Sequence, residues 1–176
     1  MNRNESNNKN KYEIEKKYLV NIDDIPFNLH KYKSVNISQA YISKSPSIRI
    51  RKSKDKYIIC VKTDTNMAYT RIEHEYKITK KVYNNLLKSI ESGIINKTRY
   101  YIPYKDKTIE LDIFHKDLKG LCYAEVEFDS LKELKAFIEP NWFKKDVSKI
   151  KRYSNESLAY SLKKSKKNKE ANNERV

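Results

Sequence analysis

Short segments in which apolar and polar side chains alternate recur along the whole chain. This period of two predicts β-strands, because successive side chains of a strand point to opposite faces of the sheet. Several of the stretches between them are short and polar, which favours antiparallel pairing through tight turns. The eight predicted strands are Tyr12–Val20, Val35–Ser43, Ser47–Lys52, Tyr57–Thr63, Ala68–Ile78, Lys97–Pro103, Thr108–His115 and Leu121–Phe128.

Apolar residues three or four positions apart predict helices between and after these strands. The helices are Lys80–Ser92, with Val82, Leu86 and Ile90 on one stripe, then Leu131–Glu139 and Glu156–Lys164, with a short fourth helix fitting within Ile25–Tyr32. Gly93 suits a C-terminal cap of the first helix, and Ser130 with Glu133 forms a capping box before the second. Asn155 is a good N-cap for the third helix, which is expected to fray early in the basic stretch that follows.

The polar positions of the strands are often charged, so that several charges share one face of a strand. In Glu13-Ile14-Glu15-Lys16-Lys17, the side chains of Glu13, Glu15 and Lys17 point the same way. The same spacing recurs in Arg49 with Arg51, Arg71 with Glu73, Glu75 and Lys77, Lys97 with Arg99, Glu110 with Asp112, and Glu125 with Glu127. Repetition on this scale in one short chain indicates charged faces that line a common space.

The alternation is compatible with two arrangements of this barrel-like sheet. If the charged faces point outward, the apolar residues between them fill the core of a barrel. If the charged faces point inward, the apolar residues face outward and need amphipathic helices to cover them, which gives a wide, charge-lined barrel. The pattern by itself does not distinguish between these two arrangements.

Composition narrows the class of protein. The length of 176 residues indicates one domain, with residues 1–11 as a disordered tail, residues 12–162 as the folded body and residues 163–176 as a basic C-terminal tail. The formal net charge of +15 favours an anionic partner, while the presence of only 2 glycines excludes Rossmann and P-loop phosphate cradles.

Cys60 and Cys122 lack a CxxC partner and are predicted to be buried free thiols. No apolar run reaches the length of a membrane helix, and a reducing cytoplasm fits this composition.

The charged motifs, taken in order, resemble those of the CYTH family, also called triphosphate tunnel metalloenzymes. Glu13–Lys17 resembles the ExExK signature of that family, and Arg71–Glu75 resembles its RxExE segment. The other matching segments are Pro46–Arg51 for the paired-arginine strand, Cys60–Lys62 for the strand that ends in lysine, Lys97–Tyr100 for KxRY, Glu110–Asp112 and Ala124–Glu127 for the late acidic strands, and Arg152–Asn155 with Leu158–Ala159 for the closing RYSN…LA segment. The resemblance covers about Tyr12 to Leu162, which is nearly the whole body.

The resemblance implies an α+β fold, namely an eight-stranded antiparallel β-barrel or tunnel with a charged lumen, covered by a few helices. The implied function is metal-dependent hydrolysis of the terminal phosphate of inorganic tripolyphosphate and/or nucleoside triphosphates. A thiamine triphosphatase or a class IV adenylyl cyclase is the alternative, since both occur in the family. A non-catalytic binder of polyphosphate or RNA is less favoured, because lumenal carboxylates would repel its ligand. The expected partner is a triphosphate-bearing small molecule, with no membrane or nucleic acid, and the expected state is a monomer or homodimer.

Each candidate residue takes its expected role from the resemblance together with its chemistry. Guanidinium forks and ammonium groups suit phosphate oxygens, so the phosphate-binding candidates are Arg49, Arg51, Lys62, Lys97, Arg99 and Arg152. Neighbouring carboxylates about 7 Å apart repel one another unless cations intervene, and oxygen ligands favour Mg²⁺ or Mn²⁺. The metal candidates are Glu13, Glu15, Glu110, Asp112, Glu125 and Glu127, of which the two ExE pairs form the preferred set.

The catalytic candidates are expected to orient groups or water, and they are Lys17, Tyr41, Glu73 and Glu75. The sequence has no evident Ser/His/Asp or Cys/His arrangement. A covalent enzyme intermediate is therefore not expected, and the mechanism implied by the resemblance is direct attack of water on the terminal phosphorus.

Overall fold

Nine antiparallel strands form one sheet in the computed structural model, which describes residues 11–65 and 69–173. The strands are β1 (Lys11–Val20), β2 (Lys33–Lys44), β3 (Ser47–Ser53), β4 (Lys56–Asp64), β5 (Thr70–Ile78), β6 (Ile95–Tyr104), β7 (Lys107–Phe114), β8 (Cys122–Glu127) and β9 (Phe143–Asp146). The helices are α1 (Lys80–Leu86), α2 (Leu131–Ala136) and α3 (Asn155–Asn173), with short 3₁₀ helices at Ile22–Asp24, Leu29–Lys31, Leu87–Ser89, Lys116–Leu118 and Lys151–Tyr153.

The first eight strands close into a barrel. Their order is β5-β4-β3-β2-β6-β7-β8-β1, and β5 pairs again with β1, so that no edge remains open among them. The predicted eight-stranded antiparallel barrel is therefore confirmed. The short strand β9 was not predicted, because Phe143–Asp146 holds a single apolar residue and shows no alternation. It pairs with the C-terminal part of β1, where Tyr18 lies opposite Asp146.

The apolar residues between the charged pairs face outward, which decides between the two arrangements left open by the sequence. Ile50, between two arginines of β3, is fully buried and packs with Ala40 and with Tyr83 of α1. On the opposite side, Leu111 and Val126 belong to a larger cluster that also contains Leu134 of α2, Trp142 just before β9 and Phe143 of β9. Burial of this outer apolar face stabilises the barrel, and the charged face is left to line its interior.

Helix α1 differs from its prediction in length and in its buried side. The helix ends at Leu86, and its buried residue is Tyr83, whereas Val82 of the predicted apolar stripe remains 43% exposed. Gly93 does not adopt the left-handed conformation of a C-terminal cap, which among described glycines belongs to Gly120. A Cβ atom at Gly93 would lie 2.6 Å from the Cβ of Leu162, so the glycine permits close approach of α3 instead.

Helix α3 is longer than predicted and extends to Asn173, through part of the basic tail that was expected to fray. Its N-cap is Ser154, whose hydroxyl oxygen accepts a hydrogen bond from the Ser157 amide at 3.1 Å, so the prediction of Asn155 as cap was wrong. Helix α2 begins as predicted, with the Ser130 hydroxyl accepting from the Glu133 amide, but ends earlier.

Helix α3 also closes one end of the barrel. Ala159 and Leu162 pack against inward-facing residues of the strands, which are Tyr41, Ile95, Phe114 and Tyr123. The Gly93 amide donates to the Ala159 carbonyl at 2.8 Å and fixes the helix across this end. The sequence predicted helices only as a cover for the outer face, and this inner role of α3 was missed.

Some predictions fall outside the described part of the chain. The predicted tail 1–11 lies outside it except for Lys11, which belongs to β1, and so do Ala68 and residues 174–176. Within residues 11–65 and 69–173, no helix combines the length and apolar character needed to span a bilayer. Cys60 and Cys122 are buried free thiols, as predicted.

Candidate active site

The barrel encloses a cavity of about 1560 Å³ that is lined by most of the predicted site residues. These residues meet there because the charged positions at spacing two lie on the inward face of their strands. The predicted site residues in its lining are Glu13, Glu15, Lys17, Tyr41, Arg49, Arg51, Lys62, Glu73, Glu75, Lys97, Arg99, Glu110, Glu125 and Glu127.

Arg99 of β6 is the centre of the first of two ion-pair networks in the wall. Its Nε and Nη2 each lie 2.7 Å from an oxygen of Asp112, a bidentate pair between residues that are directly opposite on β6 and β7. The same Nη2 lies 2.5 Å from an oxygen of Glu125, and Nη1 donates to Glu110. Lys97 also donates to Asp112, which is fully buried. The Asp112 carboxylate is therefore fully engaged within the wall and is absent from the cavity lining.

Lys17 completes this first network from the opposite strand. It lies directly across from Glu125, and its Nζ is 2.8 Å from a Glu125 oxygen. Burial would raise the pKa of Glu125, but Lys17, Arg99 and Lys97 outweigh it and hold this pKa well below the usual range of a glutamate. Glu125 therefore stays ionised and fixes the positions of two cations.

Arg49 and Arg51 of β3 form the second network with carboxylates of β5. Arg49 Nη2 donates to Glu73 at 3.2 Å and to Glu75 at 3.1 Å, while Arg51 Nη2 donates to the same oxygen of Glu75 at 2.8 Å. Burial lowers the pKa of Arg51, and the nearby positive charges of Arg49 and Arg99 lower it further. Two guanidinium groups thus lie close together at this part of the wall, each oriented by a carboxylate, where they can bind an anion.

Lys62 links this network to the first acidic pair of the chain. Its Nζ donates to the two oxygens of Glu13 at 2.7 and 2.5 Å and lies 3.6 Å from Glu73. The pKa of Glu73 would be raised by its burial, but Lys62 and Arg49 together lower it. This carboxylate is therefore ionised near neutral pH.

Cys60 lies beneath these groups and was not among the predicted site residues. Its thiol donates to Glu73 Oε1 at 2.8 Å, and its Sγ with oxygens of Glu73 and Glu75 forms a trio within 4.8 Å of one another. Burial raises the pKa of the thiol to about 12, so it is protonated at neutral pH. Arg49 already contacts both carboxylates of this trio, which makes the trio a support for the arginine.

Glu15 has the most unfavourable surroundings of the acidic residues. It lies directly opposite Glu127, and like charges opposite each other in a sheet repel. Burial is the main reason that the pKa of Glu15 is raised from 4.5 to about 7; Glu125 and Glu13 add to the rise, and Lys17 opposes it. Burial also raises the pKa of Glu110, with Arg99 opposing it. An additional cation beside these groups would relieve this repulsion.

The charges of the predicted site residues inside the barrel are nearly balanced before any ligand binds. Among the predicted site residues of the barrel interior, including Asp112 behind the lining, eight are acidic and six are basic. Most of the basic side chains are therefore already paired. Further cations, or the displacement of carboxylates from their basic partners, would therefore favour the binding of a highly charged anion.

The structure does not bring Arg152 into this wall. Its side chain is exposed, its guanidinium carbon lies 5.0 Å from the centre of the Tyr153 ring, and its Nη2 donates to the Tyr153 hydroxyl at 3.3 Å. Lys77, which shares the inward parity of β5, is also exposed and lies outside the lining. Neither of these two side chains therefore borders the cavity.

Several cavity residues were missed because they are neutral or because they come from α3. Gln39 of β2 is 1% exposed, lines the cavity and has an unpaired buried Nε2 among the described residues. Its spacing of two from Tyr41 could have revealed it, but only charged positions were considered at that spacing. Asn155 and Glu156 also line the cavity, and no strand periodicity could have indicated them.

Two curated proteins are similar to this chain over nearly its whole length. An inorganic triphosphatase of Nitrosomonas europaea is 33% identical over 154 residues, which cover 85% of this chain and 98% of that protein. An inorganic triphosphatase of Acetivibrio thermocellus is 35% identical over 153 residues, covering 83% of this chain and 92% of that protein. Among solved structures, the inorganic triphosphatase NE1496 has a TM-score of 0.62 at 32% identity, over 84% of this chain and 94% of that chain. No protein-family model matches the chain.

Proposed function

The chain belongs to the inorganic triphosphatases of the CYTH family, the triphosphate tunnel metalloenzymes, and we propose that it hydrolyses the terminal phosphate of inorganic tripolyphosphate. The observation that carries this proposal is the set of inward-facing cations in one closed barrel, each oriented by a carboxylate. Triphosphate carries about four negative charges near neutral pH, and its hydrolysis depends on positioning and charge neutralisation more than on covalent chemistry.

The phosphate groups would be bound by the two cationic networks on opposite parts of the wall. Arg49 and Arg51 offer planar guanidinium groups two residues apart on one strand face, so that each can bind oxygens of a different phosphoryl group. The remaining proposed contacts are Lys62, Lys97 and Arg99. Arg152 is left out of this set because its exposed side chain packs on Tyr153.

A divalent cation, Mg²⁺ or Mn²⁺, fits the acidic part of the wall. The fit rests on the donor set and its charge, because Glu15 and Glu127 oppose each other and burial raises the Glu15 pKa. When bound, such an ion supplies charge neutralisation and Lewis-acid activation of water. The proposed ligands are Glu13, Glu15, Glu125 and Glu127, with Glu110 as a further candidate, and Asp112 is excluded because its oxygens bind Arg99 and Lys97.

The remaining residues would orient the reacting groups. Lys17 is held by Glu125, with its Nζ beside the same acidic strip. Burial raises the pKa of the Tyr41 hydroxyl, so that it stays protonated and can donate to a phosphate oxygen. Glu73, ionised beside Lys62 and Arg49, can accept a hydrogen bond from the attacking water, while Glu75 keeps the arginines aligned.

A product assay on three substrates tests the proposal. The protein is incubated with tripolyphosphate, ATP or thiamine triphosphate in the presence of Mg²⁺, Mn²⁺ or EDTA, and phosphate and cyclic AMP are measured. We expect phosphate release from tripolyphosphate with a divalent cation and none with EDTA. Cyclic AMP from ATP would instead identify a cyclase, and no turnover of any substrate would favour a non-catalytic polyphosphate binder.

The proposed metal ligands predict the behaviour of two conservative variants. Glu13→Gln and Glu127→Gln each remove a ligand charge at nearly constant volume, so we expect turnover of tripolyphosphate to fall by roughly 100-fold or more. Glu91→Gln, at an exposed position after α1, is the matched control and should retain parental activity. Parental turnover in both lumenal variants, at limiting Mg²⁺, would contradict the metal assignment.

A further inference from the structure

Gln39 is a neutral side chain in a wall that is otherwise dominated by ion pairs. It is 1% exposed, it lines the cavity, and its Nε2 has no hydrogen-bond partner within residues 11–65 and 69–173. Buried amide donors are almost always paired, because an unpaired donor has lost its water without compensation. An unpaired donor that borders a cavity therefore indicates a partner that enters the cavity.

The surroundings of Gln39 indicate the charge of that partner. Its strand register places it directly opposite Arg51, and the neighbouring inward residue Tyr41 lies opposite Arg49. The Nε of Arg49, itself only 9% exposed, is a second buried donor without a partner in the described chain. Two unpaired donors on adjacent strands, beside the guanidinium groups of Arg49 and Arg51, match an anion with several acceptor oxygens.

We propose that Gln39 Nε2 donates a hydrogen bond to a phosphoryl oxygen of bound tripolyphosphate, beside Arg49 and Arg51. This proposal rests on the function proposed above, because it requires the cavity to bind a triphosphate. An amide adds a directional donor without adding charge. The wall therefore needs no further carboxylate to balance this donor, which remains available for the substrate.

Binding measured without turnover tests this role. Gln39→Met keeps the size of the side chain and removes its donor, and Asn36→Leu is the matched control, since Asn36 is an exposed amide on the other face of the same strand. Tripolyphosphate is titrated by calorimetry and by thermal shift in the presence of EDTA. We expect Gln39→Met to raise the Kd for tripolyphosphate by roughly ten- to hundred-fold, and Asn36→Leu to leave it unchanged.

The Tm of the ligand-free proteins separates a binding role from a structural one. Removing an unpaired buried donor should leave the Tm of Gln39→Met equal to or above that of the parent. A lower Tm with an unchanged Kd would assign Gln39 to the fold and overturn the inference. Gln39→Glu keeps the shape and can pair with Arg51, so it serves as a second variant, and its tripolyphosphate affinity should fall further than that of Gln39→Met.

This experiment also separates the inference from the proposed function. If the parent protein binds tripolyphosphate but releases no phosphate with Mg²⁺ or Mn²⁺, the proposed hydrolysis fails while the role of Gln39 stands. If the parent releases phosphate and Gln39→Met has the parental Kd, the role of Gln39 fails while the hydrolysis stands.

Discussion

At the scale of single residues, the interior of the barrel is organised by pairs in which a carboxylate holds a cation. Asp112 accepts two hydrogen bonds from Arg99, and Glu75 accepts one from Arg51. Both arginine side chains are therefore ordered before a substrate binds. Such preorganisation reduces the conformational entropy that is lost on binding. Phosphoryl transfer depends mainly on the positioning of charged groups, so ordered cations suit it.

The geometry of Arg51 leads to an ordered series of variants. Arg51→Lys keeps the charge but loses the planar fork, so we expect kcat/KM for tripolyphosphate to fall about ten- to hundred-fold. Arg51→Ala should cost more, because it also leaves Glu75 with one partner fewer. Steady-state kinetics on tripolyphosphate measures both. Parental kcat/KM in Arg51→Lys would mean that this side chain does not bind phosphate.

The raised pKa of Glu15 makes the stability of the ligand-free protein depend on pH. Because this pKa rises from 4.5 to about 7, the folded state binds more protons than the unfolded state between these values. The contribution of Glu15 to stability is therefore complete below pH 4.5 and is lost as the pH rises through 7. Glu73 and Glu125, whose pKa values are lowered, lose their contributions only below pH 4.5 and lie outside this window.

The variant Glu15→Gln cannot ionise and should escape this loss. The free energy of unfolding of the variant minus that of the parent should increase from pH 5 to pH 8, by up to about 3 kcal/mol. Urea unfolding in EDTA at the two pH values measures the difference, and Glu91→Gln serves again as the exposed control. A difference that is constant with pH would show that Glu15 is ionised throughout this range.

At the scale of elements, the close packing of α3 on the start of β6 determines the inner end of the cavity. Gly93 makes this contact, since its amide bonds the Ala159 carbonyl and its missing side chain leaves room for Leu162. The same helix contributes the residues that border the cavity from this side, Asn155 and Glu156 among them. A shift of α3 would therefore alter both stability and the shape of the site.

Gly93→Ala is expected to displace α3 and to destabilise the fold by about 1–3 kcal/mol, because the added methyl group overpacks the interface with Leu162. It should also raise the KM for tripolyphosphate. Gly120→Ala is the control: it strains a backbone with φ of 95° but has nothing within 4 Å of the new Cβ. It should lose roughly 1–2 kcal/mol and keep the parental KM. Urea unfolding measures the stability of both variants, and steady-state kinetics measures their KM. An unchanged KM in Gly93→Ala would contradict the link between α3 packing and the shape of the site.

At the scale of the whole molecule, positive charge is in large excess, while the predicted site residues inside the barrel are nearly balanced. The chain carries a formal net charge of +15, and residues 163–176 contribute six basic and two acidic residues to it. Within the residues whose side chains are described, Leu162 is the last buried one in α3. The basic tail is expected to act through its field on anions in solution.

Deleting residues 163–176 should leave kcat for tripolyphosphate within a few-fold of the parent, because the contacts of Ala159 and Leu162 remain. At low ionic strength kcat/KM should fall more than at physiological salt, where the field is screened within about 8 Å. The salt dependence of kcat/KM for both proteins measures this. A large loss of kcat at saturating substrate would show that the tail contributes to the site itself.

The sequence alone determined the strands, their antiparallel pairing and the residues that share the charged face. These follow from local rules, since the period of two fixes which side chains point together whatever their distant partners are. It also predicted most of the charged cavity lining, because charges such as Glu13 and Arg49 are rarely repeated at spacing two without a reason. Gln39 escaped that prediction because a single amide at an inward position carries no comparable signal.

Only the tertiary structure decided what depends on distant neighbours. Closure through β5 and β1 turned the charged face inward, since the apolar face was the one covered by α1, α2 and Trp142. The position of α3 across one end depends on Gly93, whose role is set by a residue about seventy positions away, Leu162. The pairing of each cation with its carboxylate, and the exclusion of Arg152 from the wall, likewise follow from barrel register and helix packing, which no local periodicity encodes.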